Sequence, residues 1–83
     1  MVPRSHSPSL RQAFGQAVRG RRKELGLSQE ELGERADLHR TYVSQVERGL
    51  KSPSLTSIEH LAKVLRVRPS ELVHAAEKLA RFR

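Results

Sequence analysis

Only Asp37 and Leu38 separate two segments of helical spacing, "QEELGERA" and the run that opens "HRTYVSQVERG". This connection constrains the fold more than any other feature of the chain. It is too short for the two helices to run back antiparallel, so they must cross at a steep angle. Gly33 falls where the third helix would come nearest the second. A glycine inside a helix costs about 1 kcal/mol relative to alanine, which a lack of room for any side chain would explain. A tolerated surface glycine is the alternative. Asp37 occupies the turn, and aspartate enters the left-handed region more readily than most residues.

The third helix is polar in an unusual way. At 100° per residue Val43 and Val46 share one side, while Thr41, Ser44, Gln45 and Arg48 share the other with Arg40 at its edge. A face built only for solubility would more often carry Glu and Lys. These outward groups match the edges that bases present in the DNA major groove. Arg forks onto guanine O6 and N7, Gln onto adenine N6 and N7, and the Thr methyl meets the thymine methyl. An ordinary solvated face is the competing reading.

The rest of the chain is predicted to be helical too. Ser9 and Gln12 form a capping box for a first helix reaching about Glu24, with Leu10, Phe14, Ala17, Val18 and Leu25 at helical spacing. Gly26 ends it, and Ser28 caps a second helix from Gln29 to Ala36, with Leu32 and Ala36 inward. Ser54 caps a fourth helix carrying Leu55, Ile58, Leu61, Ala62 and Leu65. Pro69 opens a fifth that runs through Leu72, Val73, Ala76 and Leu79. No alternating strand pattern occurs, so the expected fold class is all-α, a compact five-helix domain over residues 9–83. Residues 1–8, "MVPRSHSP", are expected to be a disordered arm or the remnant of a cleaved tag, with a groove-following basic arm as the alternative.

Charge narrows the partners. The 83 residues carry a net +7, distributed as +5 over residues 1–27, −3 over 28–47 and +5 over 48–83. Double-stranded DNA is the first candidate partner and an anionic membrane surface the second. No single amphipathic helix gathers the positive charge, so no membrane partner is expected. No apolar run approaches the roughly 18 residues of a membrane span, and no signal peptide is evident. Zero cysteines agree with a reducing cytoplasm. A cytoplasmic, nucleoid-associated protein is the expectation.

One tract, "LGLSQEELGERADLHRTYVSQVERGLKSPSLTSIEHLAKVLRVRPSEL", resembles the helix-turn-helix of the Xre family, the phage Cro and repressor type. The likeness spans roughly Phe14 to Val73 and is greatest to small stand-alone regulators of restriction–modification operons. It implies a lambda-repressor-like fold in which the second and third helices form the helix-turn-helix. It also implies base contacts from His39, Arg40, Thr41, Ser44 and Gln45 of the third helix. Phosphate contacts would come from Ser28, Gln29, Tyr42, Arg48, Lys51 and Ser52. Arg22 and Glu47 match a structural salt bridge between the first and third helices. His39 is equally readable as the residue that starts its helix. The turn carries Asp37 where the family often has glycine, and Gly33 replaces a commoner alanine.

Other chemistry finds little support. The histidines lack metal-ligand spacing, no cysteine is available for zinc, and no cofactor is implied. Ser44 has no base and acid around it, and Glu30, Glu31 and Glu34 read as a solvated face turned from DNA. No enzyme activity is expected. The function expected is a sequence-specific transcription regulator, acting as a homodimer through Leu72, Ala76 and Leu79 on a roughly palindromic operator, with a fifth helix that is all core as the alternative for those three residues. Its recognition helices would lie about 34 Å apart. The alternative is an antitoxin or DNA-binding module whose main partner is a toxin or effector protein. RNA polymerase is a further candidate partner.

Overall fold

The computed structural model describes residues 8–80, which form five helices and no strand. The expected arm at residues 1–8 lies, but for Pro8, outside the described residues, as do residues 81–83.

Local side-chain chemistry sets the helix starts. In α1 (Leu10–Glu24) the Ser9 hydroxyl accepts from the Gln12 N–H at 3.2 Å, and the Gln12 side chain accepts from the Ser9 N–H at 3.0 Å. In α2 (Gln29–Ala36) Ser28 and Glu31 exchange the same pair of bonds at 2.9 and 2.8 Å. His39 caps α3 (Arg40–Glu47), and Ser54 caps α4 (Leu55–Leu65). Pro69 is the first residue of α5 (Pro69–Ala80), where its missing N–H costs nothing. Asp37 and Arg66 end α2 and α4 in the left-handed region, each with φ of 60°.

One core joins all five helices. Its members are Ala13, Phe14 and Val18 of α1, Leu32 and Ala36 of α2, and Val43 and Val46 of α3. Leu61, Ala62 and Leu65 of α4 and Leu72 and Ala76 of α5 complete it. Two glycines mark the closest approaches. A Cβ on Gly33 would stand 2.5 Å from the Leu38 carbonyl oxygen, so the absence of room is the reason for this glycine. A Cβ on Gly15 would collide with the Val46 and Glu47 carbonyls at the end of α3, a constraint the helical period of α1 does not reveal.

Arginines of α1 close the ends of two other helices. Arg11 Nε donates to the Gly49 carbonyl at 2.7 Å, and Arg21 Nε donates to the Leu65 carbonyl at 2.9 Å. The Leu65 carbonyl belongs to the last turn of α4 and has no partner within its own helix, while Gly49 lies two residues past the end of α3. From the opposite side, a ring nitrogen of His60 lies 3.1 Å from the carbonyl of Ala36 at the end of α2.

Helical spacing alone does not say which apolar residues lie inside. Leu10 and Leu55 are exposed, Leu55 at 85%. Leu72 and Ala76, expected at a dimer contact, are instead buried inside the protomer at 3% and 0% exposure. The α1 helix packs against α5 and covers that stripe. Of the three residues expected there, Leu79 alone stays exposed, at 46%.

Candidate nucleic-acid interface

The steep crossing of α2 and α3 brings the first residues of both helices to one face. Between them lies an open groove of about 440 Å³, lined by Ser28, Gln29, Glu30, Arg40, Thr41 and Ser44. His39, Arg40 and Thr41 are exposed, and Ser44 and Gln45 are half-buried. Val43 and Val46, each 1% exposed, hold the opposite side of α3 in the core. The polar face of α3 is therefore presented by a helix whose orientation the core dictates.

A buried ion pair fixes that helix against α1. Arg22 Nε donates to Glu47 Oε2 at 2.7 Å and Nη2 to Oε1 at 3.0 Å. Arg22 Nη1 donates to the Leu27 carbonyl at 2.8 Å, and Gln29 Nε2 adds a bond to Glu47 Oε1 at 2.9 Å. The cluster thus ties together α1, the loop before α2, the start of α2 and the end of α3. The Glu47 carboxylate holds the Arg22 guanidinium protonated above its ordinary range, mainly through their hydrogen bond and against the opposing effect of burial. A bidentate pair of this kind, with every close donor matched, is the arrangement that tolerates burial.

Several site residues already have partners inside the protein. One amide N–H of Gln29 is held by Glu47, which leaves the other for an outside acceptor. The Tyr42 hydroxyl donates to Ser57 Oγ at 3.1 Å, so a phosphate could receive that proton only if the bond switched. His39 Nδ1 accepts from the Thr41 N–H at 3.0 Å, which makes it the cap of α3 and puts the proton of a neutral ring on Nε2. Ser28 uses its oxygen as the acceptor in its capping box, and its own proton is not committed there. Arg48, Lys51 and Ser52 are exposed around the turn that follows α3. Its shape is set by Gly49, at φ of 73° and held by Arg11.

This arrangement has counterparts. The helix-turn-helix family model matches residues 18–72, about two thirds of the chain. The chain belongs to the Cro/C1-type helix-turn-helix family. It is 46% identical over 66 residues to the control protein C.BamHI of Bacillus amyloliquefaciens, across 78% of this chain and 82% of that protein. The restriction-modification controller protein C.AhdI from Aeromonas hydrophila superposes with a TM-score of 0.72 at 46% identity, covering 74% of this chain and 92% of that one. SinR, a master regulator of biofilm formation solved in complex with DNA, superposes with a TM-score of 0.70 at 38% identity, covering 72% and 97%.

Within this helix-turn-helix, one residue departs from the reading made on sequence. Glu30 does not turn away from the α3 face: it lines the groove, with Oε2 3.7 Å from Arg40 Nη1. Helical period gives the angle of a side chain about its own axis, but not which neighbour it meets. Glu31, one residue on, closes the capping box instead, and the Ser28 backbone N–H holds its carboxyl below the ordinary carboxylate range. Among the described residues no group of three or more His, Asp or Glu side chains is placed to hold a metal, and no helix is long and apolar enough to cross a membrane.

Proposed function

We propose that this helix-turn-helix protein is a sequence-specific, double-stranded-DNA-binding transcription regulator that acts as a homodimer on a roughly palindromic operator. The observation that carries the reading is the groove between α2 and α3, where Arg40, Thr41 and Ser44 gather beside an exposed polar helix face. In this reading α3 enters the major groove. His39, Arg40, Thr41, Ser44 and Gln45 face base edges, and the amide of Gln29 with Arg48, Lys51 and Ser52 anchors phosphates. Ser28 adds a hydroxyl at the start of α2, where the helix dipole favours an anion. Tyr42 joins the phosphate contacts by releasing Ser57.

The dimer contact is assigned to the open surface beside α5 rather than to the Leu72 side chain, which is buried. An open, largely apolar hollow of about 290 Å³ lies between α1, α4 and α5, lined by Leu10, Phe14, Pro53, Ile58, Val73 and Ala76 together with the polar Arg11 and Ser52. Leu55 stands one helical turn from Ile58 and is 85% exposed. A large exposed leucine beside an apolar hollow suits a self-complementary contact, as two-fold symmetry requires. A genome partner places the protein with the nucleoid in the cytoplasm, and its reading of DNA needs no catalytic step.

Selection of bound sites from random duplexes at about physiological salt tests this reading, with sedimentation run in parallel. The expected result is an enriched motif with two related half-sites about one helical turn apart and a dimer on each site. Absence of enrichment by a folded protein, or one protomer per site, would remove it. A dimer that neutralises about eight phosphates should lose roughly 10⁴-fold in affinity for a fourfold rise in salt.

A further inference from the structure

We propose that Glu30 is a specificity-determining residue that works through Arg40, orienting its guanidinium toward a guanine once a duplex closes over the groove and penalising contact with any other DNA. The inference rests on the reading of the α2–α3 groove as the DNA interface. Glu30 is the second residue of α2 and Arg40 the first of α3, so the crossing of the helices puts the pair across the groove, 3.7 Å from Oε2 to Nη1.

Stability does not account for the pair. The two side chains are 70% and 64% exposed, and ion pairs in open water add little. Nor is Glu30 the capping acid of α2, because Glu31 supplies the carboxylate that bonds the Ser28 N–H. What remains is a carboxylate in the groove that is to receive a polyanion, with one arginine beside it.

Its effect changes when a duplex closes over the groove. Water leaves, the effective dielectric falls, and both the attraction to Arg40 and the repulsion from phosphates grow. Arginine presents its N–H donors in a rigid fork. With Nη1 turned toward Glu30, the remaining N–H groups can meet guanine O6 and N7 while the carboxylate stays neutralised. On other sequences Arg40 finds no such acceptor pair. If it swings to a phosphate instead, Glu30 is left unpaired against the backbone, a juxtaposition that costs affinity. Glu30 thereby weakens random binding more than specific binding.

The experiment uses the full chain and its Glu30→Gln, Arg40→Ala and double variants. Each is subjected to duplex selection and to competition between the selected site and random duplex, with a thermal melt as folding control. Glu30→Gln should bind random duplex about threefold or more tightly and lose most of its preference at one guanine per half-site, with other positions unchanged. In the Arg40→Ala background, Glu30→Gln should leave base preferences as they are. Retention of the guanine preference by Glu30→Gln, or equal loss at every position, overturns the role of Glu30 while leaving the DNA reading intact. Failure of the unaltered protein to select any motif overturns both.

Discussion

Two arginine–glutamate pairs attach α3 to its neighbours, and they differ in almost every physical respect. Arg22–Glu47 closes to 2.7 Å with side chains 10% and 1% exposed, and Gln29 shares the carboxylate. Arg40–Glu30 stands at 3.7 Å with side chains 64% and 70% exposed. The first has lost its water and depends on full satisfaction of its hydrogen bonds; the second is still hydrated and nearly free to rearrange. A buried pair that loses one partner leaves an uncompensated charge, whereas an exposed pair simply rehydrates. One pair therefore sets where α3 lies, and the other is available to respond to what α3 meets.

The comparison breaks most directly at Glu47. Glu47→Ala should destabilise the fold by about 3–5 kcal/mol, read from urea unfolding, because Arg22 is left buried without its acceptor. A loss below about 1 kcal/mol would mean that the pair is as dispensable as a surface one. Replacing Arg22 and Glu47 together by apolar residues should recover part of the loss.

Gly15→Ala attacks the same pair from the backbone. The new methyl would meet the Val46 and Glu47 carbonyls and push α1 from the end of α3, at a cost of roughly 1–3 kcal/mol. An unchanged midpoint would show that the two helices can separate without disturbing Arg22.

Acid should act through a third glutamate, which belongs to neither pair. The carboxyl of Glu31 lies below its ordinary value of 4.5, so its stabilising effect is complete above that value and fades as pH falls through the lower folded one. Glu31→Gln should therefore flatten the melting temperature between about pH 5 and pH 3 relative to the unaltered protein. Parallel curves would show that the cap of α2 adds nothing to this response. Arg22 has the opposite sign: its raised value means stability lost only as pH rises through it, far above neutrality.

The smallest effect is expected at the exposed pair. Glu30→Gln and Arg40→Ala should each change unfolding free energy by no more than about 0.5 kcal/mol, although Arg40→Ala should lose roughly 1–3 kcal/mol of discrimination at one base. Lys51→Ala should weaken all sequences alike. A large stability loss at Glu30 would erase the contrast between the pairs.

Much of this fold could be read from the chain because its helices are signalled locally. Caps such as Ser9 with Gln12 and Ser28 with Glu31 act within three residues, and the short link of Asp37, Leu38 and His39 leaves few ways to arrange α2 and α3. Gly33 was legible for the same reason, since the backbone it must avoid is only five residues away at Leu38. Gly15 was not, because its obstacle is the end of α3, about thirty residues on. The polar side of α3 was visible in the spacing of Thr41, Ser44 and Gln45. The internal bonds of Gln29 and Tyr42 were not, as Glu47 and Ser57 belong to other helices.

By itself, then, the sequence determined the five helices, the steep turn and the polar face of α3, all of which follow from interactions over a few residues. Tertiary structure alone decided that Leu72 and Ala76 face inward while Leu55 faces out, and that Glu30 meets Arg40 rather than open solvent. The reason is geometric: a helical period orders side chains around one axis, and only the packing of several axes decides which of those directions is the interior and which is the groove.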